Sequence, residues 1–397
     1  MHSFIISLLA ISSCTGSAAA VGVVGSPVGF AAGTTGGGSA TPQYPADIAQ
    51  LTAWLTDNVP RVIVLDKTFD YVGSEGTVTG AGCRPSSNTC PGHGGQDAIN
   101  ANNWCDASYP KISVTYDKAA TQGINVGSNK SIIGEGRKGV IRGKGLRIAN
   151  GARNVIVQNI HITYLNPRYI WGGDAITLAG TDLVWVDHVK ISHIGRQYFV
   201  SGYAPSNRVT ISNSEFDGIT KWSASCDGRH YWGMLLLGSS DRITLAGNYM
   251  HHMSGRSPKV GGNTLLHAVN NLFADNTGHA FDILAGGQVV AEGNVFENVR
   301  TTLMEPVQGR VFTSLSAAMN AGCKPYLDHD CAKNLLQNSG NFNGDATAIL
   351  AKFSDYDSPP ALSDTAVKDS VLANAGVGKT GRRRPWRRVR TAHHSKI

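Results

Sequence analysis

Six eight-residue segments of the chain carry apolar residues at their first, third and eighth positions: 155–162, 184–191, 209–216, 243–250, 266–273 and 289–296. Apolar residues at alternate positions have the period of a strand, whose side chains point to opposite faces in turn. The segments start 29, 25, 34, 23 and 23 residues apart. A strand returning at that interval fits one coil of a stacked solenoid, and the longer intervals are coils with inserted loops. A β-propeller also repeats, but each blade needs about 40 residues or more. The pattern therefore predicts an all-β parallel β-helix. Polar residues recur at the fifth or sixth position, namely Asn159, His188, Asn213, Asn248, Asn271 and Asn294. Stacked coils would align them as a ladder in which side chains hydrogen-bond from coil to coil, a structural role.

Outside the repeat, Ile48, Leu51, Trp54 and Leu55 sit at helical spacing within Tyr44 to Asn58, which predicts a short N-terminal helix capping one end of the core. Arg61 to Phe69 reads as a strand and Gly73 to Tyr109, rich in Gly, Asn and Cys, as a long loop. Thr121 to Ile148 adds earlier coils, and beyond Val311 the repeat fades. No second domain is indicated. The 47 glycines and 15 prolines suit frequent tight turns between short strands.

Residues 1–20 combine a short apolar run, Phe4 to Ile11, with Ala18-Ala19-Ala20, and read as a secretory signal peptide. The run is too short to span a bilayer, and no later segment looks transmembrane. The chain is thus expected to be secreted and extracellular, with no membrane partner. Cleavage would remove Cys14 and leave six cysteines, an even set that favours disulfides in an oxidising compartment. No C-x-x-C occurs, so zinc is disfavoured. Cys323 and Cys331 are expected to close a local loop, while Cys83, Cys90, Cys105 and Cys226 leave three connectivities open. Asn129-Lys-Ser131 fits an N-glycosylation acceptor.

The formal charge of +7 comes from 35 basic and 28 acidic residues, but eight of the basic ones lie between Lys379 and Lys396. Without them the balance is 27 minus 28, or −1. The basicity belongs to residues 376–397, which read as a disordered tail following a domain over 21–375, and it does not indicate a nucleic-acid partner. Gly134-Glu-Gly-Arg-Lys-Gly139 matches a dinucleotide fingerprint, yet Gly143 and Gly145 follow where a helix would be needed. Turns between coils explain it better. His251-His252 has no H-E-x-x-H pattern or nearby carboxylate cluster, and neighbours on a strand face opposite ways.

Val184-Trp-Val-Asp-His188 resembles the v-W-i-D-H segment of the pectate and pectin lyase superfamily. Gly172-Gly-Asp-Ala-Ile176, Gly195-Arg-Gln-Tyr-Phe-Val-Ser-Gly202 and Ser254-Gly-Arg-Ser-Pro-Lys-Val260 resemble its pectin lyase branch, as found in fungi. The resemblance runs from about Val21 to Ala375. It implies a right-handed single-stranded parallel β-helix with long loops, and pairs Cys83 with Cys105 and Cys90 with Cys226. It also separates two chemistries. Relatives acting on anionic pectate hold calcium with several carboxylates, as hard cations require. They carry an acid after the W-x-D-H segment and a second one four residues on, where this chain has Arg196 and Val200. Asp174 remains at another ligand position. The implied enzyme needs no calcium or other cofactor and cleaves methyl-esterified pectin by β-elimination, its ester being neutral already.

By the same resemblance, Arg256 is the expected proton-abstracting residue, Arg196 and Lys259 line the groove, and Asp174 orients Arg196. In the alternative, Arg256 stays charged and stabilises the enolate while Lys259 or a water takes the proton. Singly, such residues on a coil are more often solvated than functional. All three of Asp174, Arg196 and Arg256 nevertheless lie ten to twelve residues from a ladder strand, which lets them share one face. Trp104, Trp171, Tyr231 and Trp232 are candidates to pack on sugar C–H faces, whereas Trp54 and Trp185 read as cap or core. Asp187 is expected to be structural, so no carboxylate pair for hydrolysis is evident. The competing expectations are a calcium-dependent pectate lyase and a non-catalytic polysaccharide-binding β-helix. A monomer is expected.

Overall fold

The computed structural model describes residues 21–90 and 94–381. The signal-peptide reading of 1–20 and the arginine-rich stretch beyond Gly381 lie outside the described residues. Each coil places one strand in each of three parallel sheets. Asp182–Asp187 is followed by Lys190–Ile194 and then Phe199–Ser201, before Asn207–Ser212 returns beside the first. Ten, nine and eight strands stack in this way. The architecture is a right-handed parallel β-helix, as the repeat and the resemblance predict.

Register explains why the repeat reads so clearly in the sequence. Val155, Val184, Val209, Ile243, Leu266 and Val289 lie directly beside one another in the first sheet, and all are buried. Their eighth-position partners form a column in the second sheet, where Phe273 and Phe296 stack with ring centroids 4.6 Å apart. Each such side chain contributes about 2 kcal/mol by leaving water, and a neighbour on both sides in the stack makes the contribution cooperative along the axis.

The polar ladder is narrower than expected. The fifth position is a turn column in the left-handed region, occupied by Asn159 (φ 59°), His188 (51°), Asn213 (45°), Gly247 (69°), Asn270 (57°) and Gly293 (58°). Asn and Gly tolerate that conformation, which bends the chain from the first sheet to the second. The ladder itself is the sixth column: Asn248 Nδ2 donates to Asn271, Asn271 to Asn294, and Asn294 to Asn334, at 2.8–3.0 Å. In earlier coils that column is Ile160, Val189 and Ser214. The polar positions of the repeat thus belong to two adjacent columns with different tasks.

The helix Ile48–Thr56 is capped by Asp47, which accepts from Gln50 N–H, and turns Leu51 and Leu55 onto the end of the core. The strand expected over Arg61 to Phe69 is two, Arg61–Leu65 and Thr68–Asp70, in different sheets. The expected loop over 73–109 contains two strands: Thr77–Cys83 pairs antiparallel with Lys111–Asp117 and with Asp97–Ile99, and the rest is loop tied by Cys83–Cys105. Gly80 and Gly82 sit inside the first of these strands, where they mask the alternation on which strand reading depends. Past Val311 the stack continues through Arg310–Phe312 and Leu335–Gln337, with an insertion between them closed by Cys323–Cys331. The other disulfides are Cys83–Cys105 and Cys90–Cys226. The packed part also runs past residue 375, because Gly376 N–H donates to Asn213 O and Gly378 N–H to Asn159 Oδ1.

Candidate active site

The third sheet presents one row of side chains outward and keeps the next inside. Its outward row is Asn125, Arg147, Thr177, Val200, Leu235, Lys259 and Asp282, one per strand and in register. Leu146, Ile176, Phe199, Met234 and Leu236 are buried behind it. This row floors a groove whose central cavity, about 550 Å³, is lined among others by Trp104, Trp171, Asp174, Arg196, Trp232 and Arg256. The chain segments just before these strands supply the chemistry, since Asp174, Arg196 and Arg256 each precede their floor residue by three or four positions.

Asp174 and Arg196 are locked together. Arg196 Nε donates to Asp174 Oδ1 at 2.9 Å and Nη2 to Oδ2 at 2.5 Å, while Gln197 N–H reaches Oδ1 at 2.9 Å. This bidentate geometry fixes the plane of the guanidinium. Its other face lies over the Trp171 ring, 3.7 Å from the centroid. Trp171 holds φ at 65°, and its buried indole N–H has no protein acceptor. A bulky residue in the left-handed region is costly and persists where surroundings over-determine it, a pattern concentrated at functional sites.

Arg256 sits differently. Its guanidinium lies 4.6 Å from the Trp232 centroid and 5.6 Å from that of Tyr231, and its Nε is buried without an acceptor. Among the described residues no carboxylate comes within ion-pair reach of it. Its backbone is also left-handed (φ 48°), and its N–H donates to His279 Nε2 at 3.1 Å. Burial lowers the Arg256 pKa, and the nearby positive Arg196 lowers it further, against opposing contributions from Tyr231 and Asp282. His279 is likewise lowered, chiefly by burial and then by Lys259 and Arg256. A neutral His279 is what allows Nε2 to accept from the Arg256 backbone.

Lys259 belongs to the floor row, but its ammonium is 2.7 Å from Asp282. That pairing commits the ammonium within the floor row. Trp104, Trp171 and Trp232 line the cavity, whereas Tyr231 packs behind Arg256 and edge-on to His279. Several contributors escaped the sequence reading. Val200, Leu235 and Leu237 give the floor its apolar centre. Gln96 accepts from Trp232 Nε1 at 2.9 Å and donates to Gly195 O at 2.6 Å, tying the segment before Asp97–Ile99 to the coils that carry Arg196 and Trp232. Buried His230 spans Arg196 O and Trp232 O at 2.8 and 3.1 Å. Burial pulls its pKa down to about 4, so a neutral ring holds two site-bearing segments together. None of these carries a signal in the sequence alone; the floor row follows from strand register only once the third sheet is placed.

The residues around Asp174 do not fit a calcium ion. Both carboxylate oxygens are taken by Arg196 and Gln197, and the adjoining floor position is Val200, so no oxygen cluster is offered. The Trp185-Val-Asp187-His188 segment lies away from the groove. Asp187 is fully buried and accepts from Gln158, His188, Ser212 and Asn213, as its structural reading expects. The reading of His251-His252 needs correcting. Glu215 and Asp217 do approach His251, and His252 turns towards it, Nδ1 to Nδ1 at 2.9 Å, because its left-handed backbone (φ 55°) breaks strand alternation. Lys190 already occupies the space between the two acids at 2.7 and 2.9 Å. At the glycosylation motif, Asn129 is half-buried with its amide oxygen accepting from Asn154, and Ser131 is buried, accepting from Gly37 N–H.

The pectate lyase family model matches residues 92–380. Pectin lyase B of Emericella nidulans is 55% identical over 384 residues, covering 96% of this chain and 99% of its own. A probable pectin lyase A of Aspergillus clavatus is 52% identical, covering 94% and 99%. Among solved structures, a pectate lyase from Bacillus sp. N165 in complex with trigalacturonate superposes with a TM-score of 0.57 at 21% identity, covering 89% of this chain and 99% of that one. One from Paenibacillus sp. 0602 gives 0.58 at 16%, covering 89% and 96%. At those identities the structural likeness speaks for the fold.

Proposed function

The chain belongs to the pectate lyase family and within it is a pectin lyase, and from that premise we propose that it cleaves methyl-esterified galacturonan by β-elimination, with no metal in the reaction. The observation that carries this is the pair of guanidiniums in one groove: Arg196 neutralised by Asp174, and Arg256 between aromatic rings with no carboxylate partner among the described residues. An anionic uronate would need its charge met before its C5 proton could leave. A methyl ester needs no such partner, and the apolar floor of Val200 and Leu235 suits it.

The polymer lies along the groove, across the strands, with Trp104, Trp171 and Trp232 against sugar faces. Arg256, made less basic by burial and by Arg196, takes the C5 proton. The electron pair left on C5 delocalises onto the ester carbonyl, where Arg196, held still by Asp174, stabilises the enolate oxygen. Collapse of the enolate forms the C4–C5 double bond and expels the C4 glycosidic oxygen, which takes a proton from water, while Arg256 returns its proton to solvent. The products are a new chain end and a 4,5-unsaturated one. The enzyme works as a secreted monomer on plant cell-wall pectin.

The test is near-ultraviolet absorbance of the unsaturated product on highly methylated pectin and on polygalacturonate, each with added calcium or a chelator. Chelator-resistant product from methylated pectin is expected. Product from polygalacturonate alone, and only with calcium, would refute the metal-free reading. Binding without product on either polymer would point to a polysaccharide-binding protein.

A further inference from the structure

The floor of the groove changes character along its length. At the centre Val200 and Leu235 are apolar, and at one end Lys259 is neutralised by Asp282 at 2.7 Å. At the other end Arg147 stands in register with Thr177 and Asn125. It donates through Nη1 to Asn125 Oδ1 at 3.1 Å, and no carboxylate lies within ion-pair reach among the described residues. The nearest acid in that part of the groove, Asp174, is already held by Arg196. Arg147 also lines a second cavity of about 370 Å³ with Gln122 and Asn125, and this cavity shares Asp174 and Thr177 with the central one. The two are consecutive sections of one groove.

We propose that the Arg147 section is a subsite for an unesterified galacturonate, whose free carboxylate Arg147 recognises. The proposal rests on the reading of the chain as a lyase of esterified galacturonan, and adds to it which pattern of esters is preferred. Arg147 is two strands from Val200, roughly 10 Å at the parallel strand spacing. Two strand spacings match about two sugars of an extended 1,4-linked chain, so the acid recognised there is about two sugars removed from the ester at the centre. A methyl ester gains nothing from an uncompensated guanidinium, while a carboxylate gains a charge-assisted pair with amide donors of Gln122 beside it. The charge asymmetry also fixes direction: a chain with its free acid at the opposite end would bring that acid to the Lys259–Asp282 pair, where the positive charge is already spent.

The experiment uses the full chain and three hexagalacturonates: fully methyl-esterified, and two isomers with a single free carboxylate near the reducing or the non-reducing end. The reading is the ratio of kcat/KM between the isomers, for the wild type, Arg147→Gln and Arg147→Lys, at low salt. The wild type should prefer one mono-acid isomer by about fivefold, the upper range for a partly exposed ion pair. Arg147→Gln should bring the ratio close to one, Arg147→Lys should retain most of it, and about 0.5 M salt should shrink it in the wild type. Equal rates for the isomers in the wild type, or a ratio that Arg147→Gln leaves unchanged, would overturn the subsite while leaving the lyase reading intact. Absence of unsaturated product from all three substrates would instead remove the lyase reading and the subsite with it.

Discussion

Replacing Asp174 by Asn tests whether the clamp on Arg196 is what makes the site work. The change is nearly isosteric. It keeps one carbonyl oxygen for Gln197 N–H and removes the negative charge that receives Arg196 Nε and Nη2 at 2.9 and 2.5 Å. Hydrogen bonds to a charged group contribute about 1.5–3 kcal/mol each. The side chains are only 20% and 13% exposed, so water screens the pair weakly. Loss of the anchor should release the guanidinium from the Trp171 face, and removing an oxyanion-stabilising donor costs about 2.7–4 kcal/mol of barrier. At 1.4 kcal/mol per decade, kcat should fall by about 10² to 10³ with a smaller change in KM. A second readout separates this from general damage. With its counter-charge gone, Arg196 acts more strongly on Arg256, whose pKa it already lowers, so the limb of the pH–rate profile should move towards acid. Steady-state kinetics on methylated pectin across pH, with a thermal melt as control, decide it. A variant that melts like the wild type, keeps kcat/KM within about threefold and leaves the limb in place would refute the clamp.

Arg256→Lys should shift the same limb towards acid by about two pH units, following the lower intrinsic pKa of lysine; a limb that does not move would mean that another group takes the proton. Asn271→Ala removes both a donor and an acceptor from the buried ladder between Asn248 and Asn294. It should cost about 2–4 kcal/mol, read as a lowered denaturant midpoint, and a loss below about 0.5 kcal/mol would deny the ladder its structural weight. His230 and His161 are both held by burial at a pKa of about 4 against an ordinary 6.5. The unfolded chain therefore binds more protons between those values, so stability is full above pH 6.5 and falls as pH drops towards 4, by at most about 3 kcal/mol per ring. Thermal midpoints measured across that window should fall with acidity, and His230→Gln should flatten the slope.

The stacking direction of the fold was legible because strand register repeats in the sequence. Val155, Val184 and Val209 must be apolar for the same reason, as each packs on the next. The antiparallel hairpin was not, because Thr77–Cys83 carries glycines at 80 and 82 and pairs outside the repeat. The two polar columns were blurred because Asn serves both: at the fifth position its backbone tolerates a left-handed turn, and at the sixth its amide bridges coils. Of the site, Asp174, Arg196 and Arg256 could be placed on one face by their offsets from the ladder strands. Their separate tasks could not, since what distinguishes Arg196 from Arg256 is the presence of a carboxylate in one case and two aromatic rings in the other. Such contacts join residues distant in sequence. Val200 and Leu235 were equally silent, because an apolar residue on an outward position looks like core until the sheet that carries it is placed.

The most recognisable segment is not where the chemistry is. Trp185 donates to Ser212, and Asp187 gathers donors from three coils while fully buried. A buried carboxylate with that many donors cannot be moved without leaving several polar groups unpaired, so the segment is constrained by folding whatever the groove does. The groove is constrained differently. One carboxylate, Asp174, can serve either a cation from solution or a guanidinium from its own chain, and which it serves depends on the side chain at position 196. With Arg there, both oxygens are committed and the cation that the site holds is covalently part of the protein. The guanidinium beside Arg256 is then built into the chain and held in place by Asp174. It can lower the basicity of Arg256 permanently, which a dissociable ion could do only when bound.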